Sequence, residues 1–195
     1  MRLFSSRRER RLWVWTGAVV VAIYSTLGLT GTLAEWLREH GFLDAAVFFL
    51  LGMFLVGATI VTQGVRVRIG RTEIAVVMGI VAAYLMVFTR MAILEERSHL
   101  IEYGVLGVFV YEALAERARQ GRRVPLPPLL AALITAALGV VDEGIQWFLP
   151  TRVFDPQDIL FNLLAGTMAI GSVMALAWAR RLASGRRGPP RTPAV

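Results

Sequence analysis

The chain has 195 residues, 56% of them hydrophobic and only 18% charged, with a mean hydropathy of +0.59. That balance excludes an ordinary soluble domain and fits an all-α integral membrane bundle, since each span needs ~20 apolar residues. The net charge of +7 rests on 21 basic residues, all arginine. They flank the apolar runs, as topology-setting charges do, so nucleic acid is not the expected partner. Without cysteine, disulfides, thiolate metal sites and thiol catalysis are excluded.

Residues 1–11 form a basic segment, "MRLFSSRRERR", ahead of a first apolar run at about 12–32. A cleaved signal peptide ending near Thr32-Leu33-Ala34 is the alternative, but the run is long for that purpose. Further spans are expected at about 42–63, 72–91, 98–116, 126–149 and 157–181. Together they make one bundle over 12–183, followed by a Pro/Gly/Arg-rich tail at 184–195 expected to be disordered. The N-terminus, the 63–72 loop, the 116–125 loop and the C-terminus hold 17 of the 21 arginines. Positive charge stays in the cytoplasm, which predicts six helices with both termini inside. Ten of the fourteen acids fall on the opposite side, from Glu35 to Asp158.

The span at 98–116 is the least oily, with Glu102, Glu112 and Glu116 inside it. His99, Glu102 and Tyr103 recur at i, i+3, i+4, on one face of its first two turns. Glu112 and Glu116 lie near Arg117 and Arg119, as interfacial ion pairs would. Ser98 is a candidate N-cap. The fifth span ends in "DEGIQWFLPTR": Asp142 and Gln146 are four apart and Glu143 and Gln146 three apart, so they share a side. Counted from Leu126, Asp142 lies ~24 Å along the helix, some 6 Å inside a hydrocarbon core ~30 Å thick. The sixth span opens with "DPQDILFNLLAG", where Asp158, Asn162 and Gly166 follow one stripe.

Three helices thus carry polar stripes at one depth, and convergence into an outward-facing polar pocket avoids exposing them to lipid. Structural readings stand beside this. Asp155 can be an N-cap, Pro156 the first helical residue, and Asp158 can return a capping bond. His99 and Glu102 can form an interhelical hydrogen bond. Gly104, Gly107, Gly139, Gly166 and Gly171 can allow close helix packing. Trp13, Trp15, Trp36, Trp147 and Trp178 sit near span ends, where aromatic belts form.

The chain resembles the VanZ-like family of bacterial membrane proteins. The likeness rests on "SHLIEYGVLG", "DEGIQWFLPTR" and "DILFNLLAG". His99, Tyr103, Asp142, Glu143, Gln146, Arg152, Asp158, Asn162 and Gly166 match that family's pattern position by position. The likeness covers about 98–175 and, loosely, "IYSTLG" of the first span, with the second and third spans read as an insertion. Glu95-Glu96-Arg97 precedes the histidine where many members have Asp-Lys, so any role of that lysine does not carry over. The family takes its name from a protein linked to low-level teicoplanin resistance, so the resemblance implies an envelope-facing role in the inner membrane.

Three functions remain open. A binding protein would use His99, Glu102, Tyr103, Asp142, Glu143, Gln146, Arg152, Asp158 and Asn162 to hold the polar head of a membrane lipid or lipid-linked envelope molecule. Arg152, with Arg97 nearby, would clamp its phosphate or carboxylate. An intramembrane enzyme would draw acid–base groups from His99, Glu102, Asp142 and Glu143. No cofactor is expected, although His99, Glu102, Asp142 and Asp158 offer a divalent-metal set. A transporter is disfavoured by the lack of a polar path in the cytoplasmic half. Assembly as an oligomer or part of a larger membrane complex is compatible with all three.

Overall fold

The computed structural model describes residues 3–26, 36, 39–41, 71–90, 94–149 and 155–185, with side chains placed except at 94–97 and 183–185. The second expected span, Arg152, the side chain of Arg97 and residues 186–195 lie outside the described residues. The described regular structure is entirely helical: α1 (Arg7–Thr26), α2 (Arg71–Arg90), α3 (Leu94–Arg119), α4 (Pro127–Gln146) and α5 (Pro156–Gly185). Among the described residues, three stretches are long and apolar enough to cross a membrane: Arg71–Arg90, Pro127–Gln146 and Pro156–Leu182.

Local chemistry sets the helix ends. α3 stops at Arg119 because Gly121 takes a left-handed conformation, φ +78°. Its N–H donates to Ala118 O at 3.0 Å and that of Arg122 to Arg117 O at 3.3 Å, the paired bonds of a Schellman cap. α4 begins with Pro127 and Pro128, whose fixed φ suits a first turn. Leu126 before them is barred from the right-handed helical region by the following proline and adopts φ 41°, uncommon for a leucine. Asp155 caps α5: its Oδ1 accepts the Gln157 N–H at 2.8 Å, with Pro156 as the first helical residue.

Two boundaries differ from expectation. α1 starts at Arg7, so half of the basic N-terminal segment is already helical and packed. α3 starts at Leu94, which puts Ser98 in the second turn, where it cannot be an N-cap.

α3 occupies the centre, in contact with α1, α4 and α5, while α2 packs on α5 and α4 also packs on α5. Leu100, Leu106 and Val110 of α3 meet Ile23, Tyr84, Phe88 and Ile170 in the main apolar core. A second cluster, Leu12 with Val105, Phe109 and Ala113, joins α1 to α3. α2, α4 and α5 turn their oily sides outward, through residues such as Met78, Met86, Leu133, Val140 and Met174. That arrangement suits a lipid surround.

Glycine brings α3, α4 and α5 close enough to align their polar ends. A Cβ on Gly107 would lie 3.0 Å from Gly166 Cα, and one on Gly166 would lie 2.9 Å from Thr135 Cγ2. A Cβ on Gly139 would lie 2.8 Å from Asn162 Nδ2. Gly104 is in ordinary contact with Ala169, at 3.7 Å. Among the described residues, nothing lies within 4 Å of a Cβ on Gly171.

Candidate functional site

The start of α3, the last turn of α4 and the start of α5 lie at one end of the bundle. Their side chains meet there. Tyr103, Asp142, Glu143 and Asn162 are fully buried, Gln146 and His99 nearly so. Glu102 is half-buried at the rim.

Two layers can be distinguished. In the outer layer, His99 Nε2 faces Asp158 Oδ2 at 3.5 Å, and Glu143 stands beside both. Glu143 is fixed through both oxygens: Gln146 Nε2 donates to Oε1 at 3.1 Å, and the backbone N–H of Asp155 donates to Oε2 at 3.3 Å. In the inner layer, the Asp142 carboxylate lies beside the Tyr103 hydroxyl, and Asn162 lies against Gly139. Among the described residues, His99 Nδ1 and both amide atoms of Asn162 are buried without a hydrogen bond.

One expectation is corrected here. In a capping box, Asp158 would return a bond to the Asp155 N–H. Glu143 takes that N–H instead, which leaves the Asp158 carboxylate to face His99. Among the described residues, Glu143 and Asp158 each place a carboxylate oxygen within 4.8 Å of a His99 ring nitrogen. Consecutive helical residues point ~100° apart, so Asp142 turns inward to Tyr103 while Glu143 turns to the start of α5.

Two contributions come from outside the expected stripes. Tyr24 of α1 donates its hydroxyl to Leu138 O at 2.9 Å, and stands near enough to Asp142 to feel its charge. The only hint in the sequence is its place within "IYSTLG". Thr135, fully buried, donates to Ala131 O at 2.9 Å and packs against Gly166. Nothing in its spacing marks it out.

A second polar cluster closes the other end of α3, 13–17 positions on from His99, or ~20–26 Å. Arg8 pairs with Glu112 at 3.1 Å and Arg117 with Glu9 at 3.2 Å. Arg119 reaches both Glu112 and Glu116 at 3.4 Å. Ser5 and Ser6 add hydrogen bonds to Glu9 and Glu116. Glu112 and Glu116 are ion-paired, but the partners include α1, so the cluster clamps α1 to α3.

Comparison with known proteins gave no significant match to a curated protein or to a solved structure. The family described as VanZ/LLP1 matches residues 4–178, well beyond the 98–175 stretch that carries the sequence likeness. The match takes in α1 to α4 whole and α5 as far as residue 178, so the parts read as an insertion fall within its range. The chain belongs to the VanZ/LLP1 family.

Proposed function

We propose that this protein is a multi-pass inner-membrane protein of six spans, with both termini cytoplasmic, that recognises the polar head of a cell-envelope amphiphile. The candidate ligands are a membrane lipid, a lipid-linked wall precursor or a lipoglycopeptide such as teicoplanin. The reading rests on one observation: the Asn162 amide is buried with no hydrogen bond among the described residues, inside a cluster of buried polar side chains from three helices. Leaving such a group unsatisfied costs about 1–3 kcal/mol. A head group carrying hydroxyls, amines or phosphate would satisfy it. The helix N-termini of α3 and α5 at this end favour an anionic group, and Arg152 follows α4 in sequence by six residues.

Native mass spectrometry from mild detergent tests this. Wild type should carry a co-purified amphiphile whose mass separates the three candidates. Asn162→Ala and Arg152→Ala should lose it while keeping their helical circular dichroism. Retention equal to wild type in both variants refutes the reading.

One observation favours a second reading, an acid–base or metal-dependent enzyme acting on a lipid-linked substrate. His99, Asp158 and Glu143 form a compact group with both imidazole and carboxylate chemistry. Release of a cleaved head group, dependent on His99 and Asp158, distinguishes turnover from retention.

A further inference from the structure

We propose that His99, Glu143 and Asp158 form a binding site for one divalent first-row transition ion, in the range from Mn²⁺ to Zn²⁺. One ligand atom from each side chain lies within 4.8 Å of the other two. Each comes from a different helix, so the group exists only in the folded bundle.

The geometry is close to what an ion demands. Two ligands each ~2.1 Å from a tetrahedral ion stand about 3.4 Å apart. His99 Nε2 and Asp158 Oδ2 are 3.5 Å apart, already an edge of that length. The remaining separations, at most 4.8 Å, must close by up to about 1.4 Å, which small rotations of the His99 and Asp158 side chains permit. One imidazole nitrogen and two carboxylate oxygens make a mixed donor set suited to ions of this range. Three protein ligands leave a position open for water or for an oxygen of a bound molecule.

Charge points the same way. The charged groups acting on Glu143 among the described residues are Asp158, His99 and Asp142. Among the described residues a single histidine stands against the Glu143 and Asp158 carboxylates, and buried carboxylates without a counter-charge are costly. A divalent ion balances the Glu143–Asp158 pair outright. Two further features fit. Glu143 is oriented by hydrogen bonds on both oxygens, as metal-binding carboxylates are, and its remaining lone pairs stay available. Asn162, one turn along α5 from Asp158, has a fully buried amide with no hydrogen bond among the described residues, the kind of group that holds a water or anion. The ion site stands whether or not an amphiphile binds.

The test uses the full-length protein in mild detergent, stripped with chelator and reloaded with Mn²⁺. Wild type should take up about one ion per chain, and pulsed electron paramagnetic resonance should show one imidazole nitrogen coupled to it. Glu143→Gln and Asp158→Asn should each weaken binding by at least about tenfold, and Gln146→Leu, which disturbs only orientation, by about tenfold. Asp142→Asn should cost less than Glu143→Gln. The proposal is overturned if wild type binds neither Mn²⁺ nor Zn²⁺ above a detergent blank, or if bound Mn²⁺ shows no nitrogen coupling. Wild-type affinity in both Glu143→Gln and Asp158→Asn overturns it as well. The nitrogen signal is read on wild type, so a variant that fails to fold does not shelter the idea.

Discussion

Gly139→Ala probes the contact that sets the inner layer. An added Cβ would meet Asn162 Nδ2 at 2.8 Å, Asn162 Cβ at 2.9 Å and Asn162 Cγ at 3.2 Å. Ordinary carbon contacts begin near 3.5 Å, so the Asn162 Cβ must retreat by about 0.6 Å. Cβ is tied to the backbone, so rotating the amide does not relieve the clash and α5 itself must shift from α4. Overpacking of this kind costs about 1–3 kcal/mol. In a chain of this length that corresponds to a fall of roughly 2–12 °C in apparent melting temperature. Thermal unfolding in mild detergent, followed by circular dichroism, reads it. Gly171→Ala is the matched control, because among the described residues nothing lies within 4 Å of its added Cβ; it should leave stability unchanged or raise it by up to about 1 kcal/mol, as alanine is the better helix former. Adding Asn162→Ala to Gly139→Ala should rescue only part of the loss, because the 2.9 Å contact with Cβ remains. Equal melting temperatures for the two glycine variants, or full rescue by Asn162→Ala, would refute the argument that α4 and α5 touch through Gly139.

Two further predictions concern α1. Burial pushes the Glu9 carboxyl up, but hydrogen bonds from the Ser5 hydroxyl and backbone, together with the charge of Arg117, more than reverse that and hold it below its ordinary value. A depressed folded-state value gives stability that is full above the unfolded glutamate value of about 4.3 and disappears as pH falls through the folded value. Melting curves from pH 7 down to about 3 should therefore show a smaller acid loss in Glu9→Gln than in wild type; parallel curves would refute the Glu9–Arg117 clamp. Tyr24→Phe removes the hydroxyl that bonds Leu138 O at 2.9 Å, and should cost about 1 kcal/mol without displacing α1. A variant as stable as wild type would show that this bond does not tether α1 to α4.

The helical class and the meeting of three polar stripes were legible because both depend on periodicity. His99 and Tyr103 recur four apart, as do Asp142 and Gln146 and likewise Asp158 and Asn162, and a face at that spacing stays a face whatever it packs on. Pairings across helices were not legible in the same way. Whether Asp158 caps its own helix or faces His99 depends on Glu143 reaching the Asp155 N–H, a contact between residues twelve apart that no local pattern encodes. The glycines divide likewise. Gly107, Gly139 and Gly166 sit at close approaches, while Gly171, five residues beyond Gly166, has no close neighbour among the described residues. Composition treats them alike, and only the helix crossing separates them. The Glu9–Arg117 pair spans 108 positions, and its acid was hidden inside a segment that reads as plain basic flank.

The central position of α3 follows from the cost of exposing it. It carries Glu102, Glu112 and Glu116 among the residues that would have to face lipid. Acids facing hydrocarbon cost up to about 3 kcal/mol each, so an outward α3 would cost up to roughly 9 kcal/mol. Hydropathy alone passes over α3, and over α1 with its basic first turns, as candidate spans. The three helices it does select turn oily faces outward; α4 and α5 pack on α3, and α2 packs on α5. Burying a helix that is polar at both ends requires partners at both ends. At one end the partners are arginines and serines, and the charges cancel side chain by side chain. At the other end the partners brought by α4 and α5 are mostly further acids and amides. Satisfying that end within the described residues leaves carboxylates in excess over the single histidine. The asymmetry separates the His99 end, where the described residues set several carboxylates against one histidine, from the Glu112 end, where acids and arginines pair.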